Sequence, residues 1–279
     1  MLRVKVQTIS PRWFLPRVRM VTMPWPGRDE CLAALREGDG AGVRVAVLDT
    51  GVDLENECFA GLRFGGAWEA KADAHGVSVI EVETGDPVGH GTGIAGIIHR
   101  IAPDAEIISI RVLDVSSRQM RHQVIQAGAE LAIRLGAPIL NCSFGVPGTG
   151  FAVGSYLSWT DLAVRENRIV VGASSNDSAE APEWPSHLSA VIGVTAADCG
   201  DEEIIWREGR AVEVAAAGLR VEVPLPGDGK NLVSGSSFAA ARVSGMLARL
   251  ISCFPGLSPA LAREALRHAG SGERRGPQA

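Results

Sequence analysis

No two of the five cysteines (Cys31, Cys58, Cys142, Cys199 and Cys253) stand in a Cys-x-x-Cys pair. That spacing excludes a disulfide scaffold and a zinc knuckle, and free thiols suit a reducing compartment. A basic excess is lacking too: 27 Lys and Arg against 32 Asp and Glu leave a net charge of −5. The basic face that a nucleic-acid partner needs is therefore not expected. Met1-Leu-Arg-Val-Lys-Val-Gln contains no apolar run of signal-peptide length, and the expected location is cytoplasmic. Leu135–Thr160 has no charged residue and would be long enough to cross a bilayer. It is interrupted by Gly136, Pro138, Gly145, Pro147, Gly148, Gly150 and Gly154. The expectation is a buried strand followed by loops, with no membrane partner.

The chain does have short β-branched runs: Val43–Leu48, Ile107–Val112, Pro138–Ser143, Arg168–Ala173 and Ala190–Thr195. Met120, Val124, Ala127, Leu131 and Leu135 recur at steps of three and four, one face of a helix. A second helix is expected from Ser237 to about Ile251, and Ser258-Pro259 reads as the cap and first turn of a last one. Alternating strands and helices predict an α/β fold: a three-layer, doubly wound sandwich, its mostly parallel central sheet covered by helices on both faces. With no internal repeat and no linker, one main domain is expected over 23–269. An N-terminal extension, 1–22, precedes it and a flexible polar tail, 270–279, follows.

Three segments carry chemistry. Val45-Ala-Val-Leu-Asp49-Thr-Gly-Val ends a buried strand in a carboxylate. Gly89-His90-Gly-Thr-Gly-Ile-Ala-Gly96 places a histidine between glycines at a helix start. Ser234-Gly-Ser-Ser237-Phe-Ala-Ala-Ala puts a hydroxyl behind a glycine turn that opens a helix. Taken singly, each is weak: a strand-ending turn, a structural loop histidine, a helix cap. Together they supply what acyl transfer by serine requires. A base must take the hydroxyl proton. A buried carboxylate must hold the imidazole in its useful tautomer. A helix N-terminus must face the developing oxyanion.

In this order, these segments resemble the subtilisin-like serine proteases, or subtilases, whose patterns are D-[ST]-G-[IV], H-G-T-x-x-A-G and G-[TS]-S-x-A-x-P. The resemblance implies Asp49 as the orienting carboxylate, His90 as general base then acid, and Ser237 as nucleophile. Ala173-Ser-Ser-Asn176-Asp resembles the family's segment bearing the oxyanion asparagine, which implies that role for Asn176. Asn141-Cys-Ser143-Phe144-Gly145 resembles the strand along which subtilases lay an extended substrate. Ser143, Phe144, Gly145, Ser174 and Ser175 are thus implied as substrate-binding.

The implied activity is that of a serine endopeptidase acting on a peptide or protein substrate through an acyl-enzyme, with no cofactor and no metal, in the processing of an intracellular precursor. The same words leave open a silent peptide-binding pseudoprotease, and an acyl-transfer enzyme making a peptide bond or macrocycle.

Departures from the family are visible. Gly93 stands where a second His is usual, Ala241 and Arg242 replace Pro and commonly His, and Phe238 replaces a frequent Met. The Asn-rich calcium loop that interrupts the histidine helix in many secreted members is absent, and Asp53 lacks the loop partners of a calcium site. The usual folding prodomain is not seen. The Pro-rich, basic residues 1–22 are expected to be a short inhibitory extension of an intracellular-type member. Asp198, Asp201, Glu202 and Glu203 form an acidic cluster, read as a solvated loop or a cation holder.

Overall fold

The β-branched runs become parallel strands because both of their faces are buried, which a near-continuous apolar run requires. The computed structural model describes residues 26–113, 121–147 and 151–272. The expected inhibitory extension, 1–22, and the domain start at Met23 lie outside them. The strands are β1 (Arg44–Asp49), β2 (Arg63–Asp73), β3 (Gly76–Glu81), β4 (Glu106–Arg111), β5 (Ile139–Cys142), β6 (Val146–Pro147), β7 (Ile169–Ala173), β8 (Glu183–Trp184), β9 (Val191–Ala197), β10 (Ile204–Trp206), β11 (Val214–Ala217), β12 (Val221–Pro224), β13 (Lys230–Val233) and β14 (Ser271–Gly272). The helices are α1 (Arg28–Glu37), α2 (His90–Ile101), α3 (Arg121–Arg134), α4 (Phe151–Arg165), α5 (Ser236–Cys253) and α6 (Pro259–Ala269).

The main sheet has the order β14-β10-β11-β9-β7-β5-β1-β4-β2-β3. From β11 across to β2 every pairing is parallel. Only β3 on β2 and β10 on β11 run antiparallel, near the two edges. Alternation along the strands divides the core in two. Val45, Val47, Ile139, Val171 and Val194 face α1, α2, α5 and α6. Ala46, Leu48, Leu140, Cys142 and Val170 face α3 and α4. The α/β sandwich with a mostly parallel sheet is thus as expected, and α5 is buried along nearly its whole length between the sheet and α2.

Two expectations are corrected. The charge-free stretch ending at Thr160 reads as loops after its strand, yet α4 begins inside it. Tyr156, Trp159, Thr160 and Ala163 recur at helical spacing and are buried against the sheet, which offsets the cost of the lone Gly154. Gly270–Gly272, expected as part of a flexible tail, belong to the fold instead. Ser271 and Gly272 pair with Ile205 and Trp206, whose backbone would otherwise be an open sheet edge; residues 273–279 lie outside the described residues. Among the described residues no helix is long and apolar enough to cross a membrane.

A small antiparallel pair, β12 with β13, is tied down by one side chain. Buried Asn56 donates through Nδ2 to the carbonyls of Leu225 (3.0 Å), Gly227 (2.6 Å) and Gly229 (3.0 Å), while its Oδ1 accepts from Cys58 N. Replacing Asn56 with Ala removes this donor from three half-buried carbonyls, of which, among the described residues, only Gly229 O keeps a backbone donor, Leu225 N, and is expected to cost about 1–2 kcal/mol. Urea unfolding should show a lower midpoint at unchanged slope; an unchanged midpoint would contradict this role.

Candidate active site

Strand order reverses around β1: the chain leaves it for β2 and β4 on one side and for β5 and β7 on the other. In doubly wound sheets the crevice at such a switch, beyond the carboxyl ends of the strands, is where ligands bind. Asp49 is the last residue of β1, Ser143 follows the end of β5, and Ser174–Asn176 follow the end of β7. His90 and Ser237 sit in the first turns of α2 and α5, which point back at the same edge. The fold thereby gathers residues from five distant places.

Asp49 is fully buried, and its Oδ1 lies 2.7 Å from His90 Nδ1. The same oxygen accepts from Thr50 N at 2.8 Å, which fixes the carboxylate plane. A carboxylate accepting at Nδ1 makes that nitrogen the donor and leaves Nε2 as the basic face. Gly91 permits the approach: a Cβ there would strike the Gly51 carbonyl and come within 3.1 Å of the Asp49 side chain. Phe238 packs on the imidazole at a ring-centroid distance of 5.7 Å.

The helix bearing His90 is held by Asp86. Its Oδ1 accepts from Val88 N (3.1 Å) and Gly89 N (2.8 Å), and its Oδ2 from Thr92 N and Thr92 Oγ1 (both 2.8 Å). An acid among the first-turn N–H groups satisfies orphan donors and complements the helix dipole. Burial alone would push its carboxyl up, yet these hydrogen bonds hold it below the usual value. Its part in the site is not evident from the sequence; an Asp four residues before the histidine, just ahead of a helix start, is the available signal.

At α5 the first turn is partly spoken for. Asn176 Oδ1 accepts from Ser236 N (2.8 Å) and Ser236 Oγ (3.0 Å). That bonding fixes the amide orientation and leaves Asn176 Nδ2 without an acceptor among the described residues. Phe238 N donates to Gly235 O, and Ser237 N has no partner among the described residues. Both free donors border a cavity of about 370 Å³, which Phe144, Gly145, Ser174 and Ser175 also line. Ser143, by contrast, is buried, and its hydroxyl is engaged internally: it accepts from Asn141 Nδ2 (2.9 Å) and donates to Ser237 O (3.0 Å). Asn141 in turn accepts from Ser244 Oγ of α5. The Ser237 hydroxyl donates to the Ser143 carbonyl at 3.1 Å rather than to His90.

Neighbouring titratable groups lie or pair elsewhere. Cys142 is fully buried on the opposite face of β5, and burial drives its thiol far up, away from the reactive thiolate. In the acidic cluster, Asp201 pairs with buried Arg242 (2.9 Å), Glu202 with Arg249 (3.1 Å) and Asp198 with Arg220 (3.7 Å). Asp53 accepts from the backbone N–H of Glu55 and of Gly227.

Burial disfavours the charged form of His90, but the negative charge and hydrogen bond of Asp49, with Asp86 behind them, outweigh it and raise the imidazole above its ordinary value near 6.5. A raised folded-state value means that the imidazolium stabilises the fold at low pH, and that this contribution is lost as pH rises through the folded value. The basic form therefore appears only above that point. NMR titration should place the His90 midpoint above about 6.5, and Asp49→Asn should lower it. A wild-type midpoint at or below 6.5 would contradict the assignment.

The sequence profile of the subtilase family matches residues 40–277. The M-protease of Shouchella clausii is 27% identical over 263 residues, covering 90% of this chain and 65% of its own length, so the chain spans about two thirds of that relative. Among solved structures, that of the prenylagaramide maturation protease PagA superposes with a TM-score of 0.61 at 26% identity, covering 81% of both chains. A serine-to-alanine mutant of the protease domain of PatA gives 0.64 at 25% identity, covering 82% of this chain and 86% of its own. The profile spans most of the sequence, and the likeness extends through the sheet and its helices. This chain belongs to the subtilase family, a family of serine endopeptidases.

Proposed function

We propose that this chain hydrolyses peptide bonds through an acyl-enzyme on Ser237. A substrate entering the crevice displaces the Ser237 hydroxyl from the Ser143 carbonyl, and rotation about χ1 turns it to His90 Nε2; such contacts commonly tighten only when substrate binds. His90 takes the proton as Ser237 Oγ bonds to the carbonyl carbon. Asp49 steadies the imidazolium through Nδ1. The substrate oxygen, now negative, accepts from Asn176 Nδ2 and Ser237 N, the two donors that nothing else uses. His90 returns its proton to the leaving amine, and water then repeats the cycle on the ester to free the acid and regenerate Ser237.

The single observation carrying this reading is the 2.7 Å bond from His90 Nδ1 to a fully buried Asp49, beside a helix start with an unpaired N–H. A binding module gains nothing from burying a carboxylate against a histidine. Precursor processing is supported by the likeness to PagA, a maturation protease. The five thiols are all free, which agrees with a reducing compartment and with a cytoplasmic site of action.

Cleavage of a peptide library, read by mass spectrometry, tests the proposal. In subtilisin, loss of the nucleophile or base costs on the order of 10⁶ in turnover, and loss of one oxyanion donor roughly 10²–10³. Ser237→Ala and Asn176→Ala should fall in those ranges. Undiminished cleavage by Ser237→Ala would contradict the reading. Products joined to an added amine rather than to water would shift it to acyl transfer.

A further inference from the structure

The cavity beside Ser237 is lined by a half-buried carboxylate that the proposed chemistry does not use. Its walls are Phe144 and Gly145 on one side and the Ala173–Asn176 segment on the other, and Glu183 projects between them. Glu183 arrives there through the β6–β8 pair, where Pro147 faces Glu183 and Val146 faces Trp184. Its backbone is pinned: the carbonyl accepts from Ser186 Oγ (3.1 Å) and His187 N (3.1 Å), and its N–H donates to His187 Nδ1 (3.3 Å). A Cβ at Gly145 would collide with the Glu183 carboxylate. The missing side chain of Gly145 is thus the space in which that carboxylate lies.

Neither carboxylate oxygen of Glu183 has a hydrogen-bond or ion-pair partner among the described residues. The nearby arginines Arg207 and Arg210 pair with Glu180. Asp177 adds a second carboxylate to the lining, and among the described residues no Lys, Arg or His contributes to it. A half-buried carboxylate facing an otherwise polar and apolar pocket favours a cation as its occupant. An apolar side chain would desolvate the charge with nothing in return, and an acidic one would be repelled.

We propose that Glu183 makes this chain select peptides with Arg or Lys immediately before the cleaved bond. The proposal rests on the reading of Ser237 as nucleophile, and its test separates the two. Peptides identical except for Arg, Lys, Met or Glu at that position are compared by kcat/KM. The number of competent sites in each sample is counted by fluorophosphonate titration of Ser237. Arg and Lys should exceed Met by roughly tenfold or more, with Glu slowest. Glu183→Gln should bring the Arg-to-Met ratio close to one, and Glu183→Arg should invert the order of Arg and Glu. Each ratio is taken within one variant, so loss of folded protein does not alter it. Fluorophosphonate labelling together with a wild-type preference for Met would overturn the specificity while leaving the nucleophile in place. So would an Arg-to-Met ratio unmoved in Glu183→Gln. Failure of wild-type Ser237 to label would overturn the hydrolase reading and the specificity with it.

Discussion

The site depends on a hydrogen bond between a carboxylate and an imidazole that the chain separates by 41 residues. Asp49 is held, fully buried, at the end of the central strand β1. A buried carboxylate in that position is costly unless donors meet it. Among the described residues Thr50 N and His90 Nδ1 are its donors, both to Oδ1, and Oδ2 has none. The requirement propagates outward: α2 must start at His90, its first turn must lie against the end of β1, and no side chain can intervene at Gly91. Asp86 answers the first demand by collecting the N–H groups that the helix start exposes.

The second half of the site is built on the same principle at α5. Asn176 closes one N–H of the first turn through its carbonyl oxygen and keeps its amide hydrogens free, and Ser237 N stays open. Behind it, a polar chain from Ser244 through Asn141 and Ser143 to the Ser237 carbonyl links the helix to the end of β5. Such a fully paired buried network specifies one position of the helix relative to the sheet. Arg242, further along α5, uses the Ala217 carbonyl and Asp201, so charge near the helix is matched rather than left open to a cation.

Much of this is legible in the sequence because strand ends and helix starts have local signatures. The runs ending at Asp49 and Ala173, and the glycines around His90 and Ser237, report both their backbone state and their place in a parallel sheet. Along Asn141-Cys142-Ser143 a strand period of two sends Asn141 and Ser143 toward α5 and Cys142 to the opposite face, as the structure has them. Helix α4 is obscured because its glycine and the preceding Pro-Gly segment outweigh a buried face formed by Tyr156 and Trp159. Asp86 and Glu183 are not legible for a different reason. Each acts through a contact that the local pattern does not record: one a lone acid ahead of a helix, the other a residue in a two-residue strand brought to Gly145 by long-range pairing. The Asn56 clamp is likewise made of carbonyls some 170 residues away.

The central claim is that buried Asp49, acting through His90, makes Ser237 a nucleophile. The most direct measurement is the rate at which a fluorophosphonate modifies the protein, with the adduct mapped by mass spectrometry in the wild type and in His90→Ala. One adduct, on Ser237, is expected to form faster as pH rises through the His90 titration and to be nearly lost in His90→Ala. An adduct elsewhere, or a Ser237 adduct forming at the same rate without His90, would contradict it.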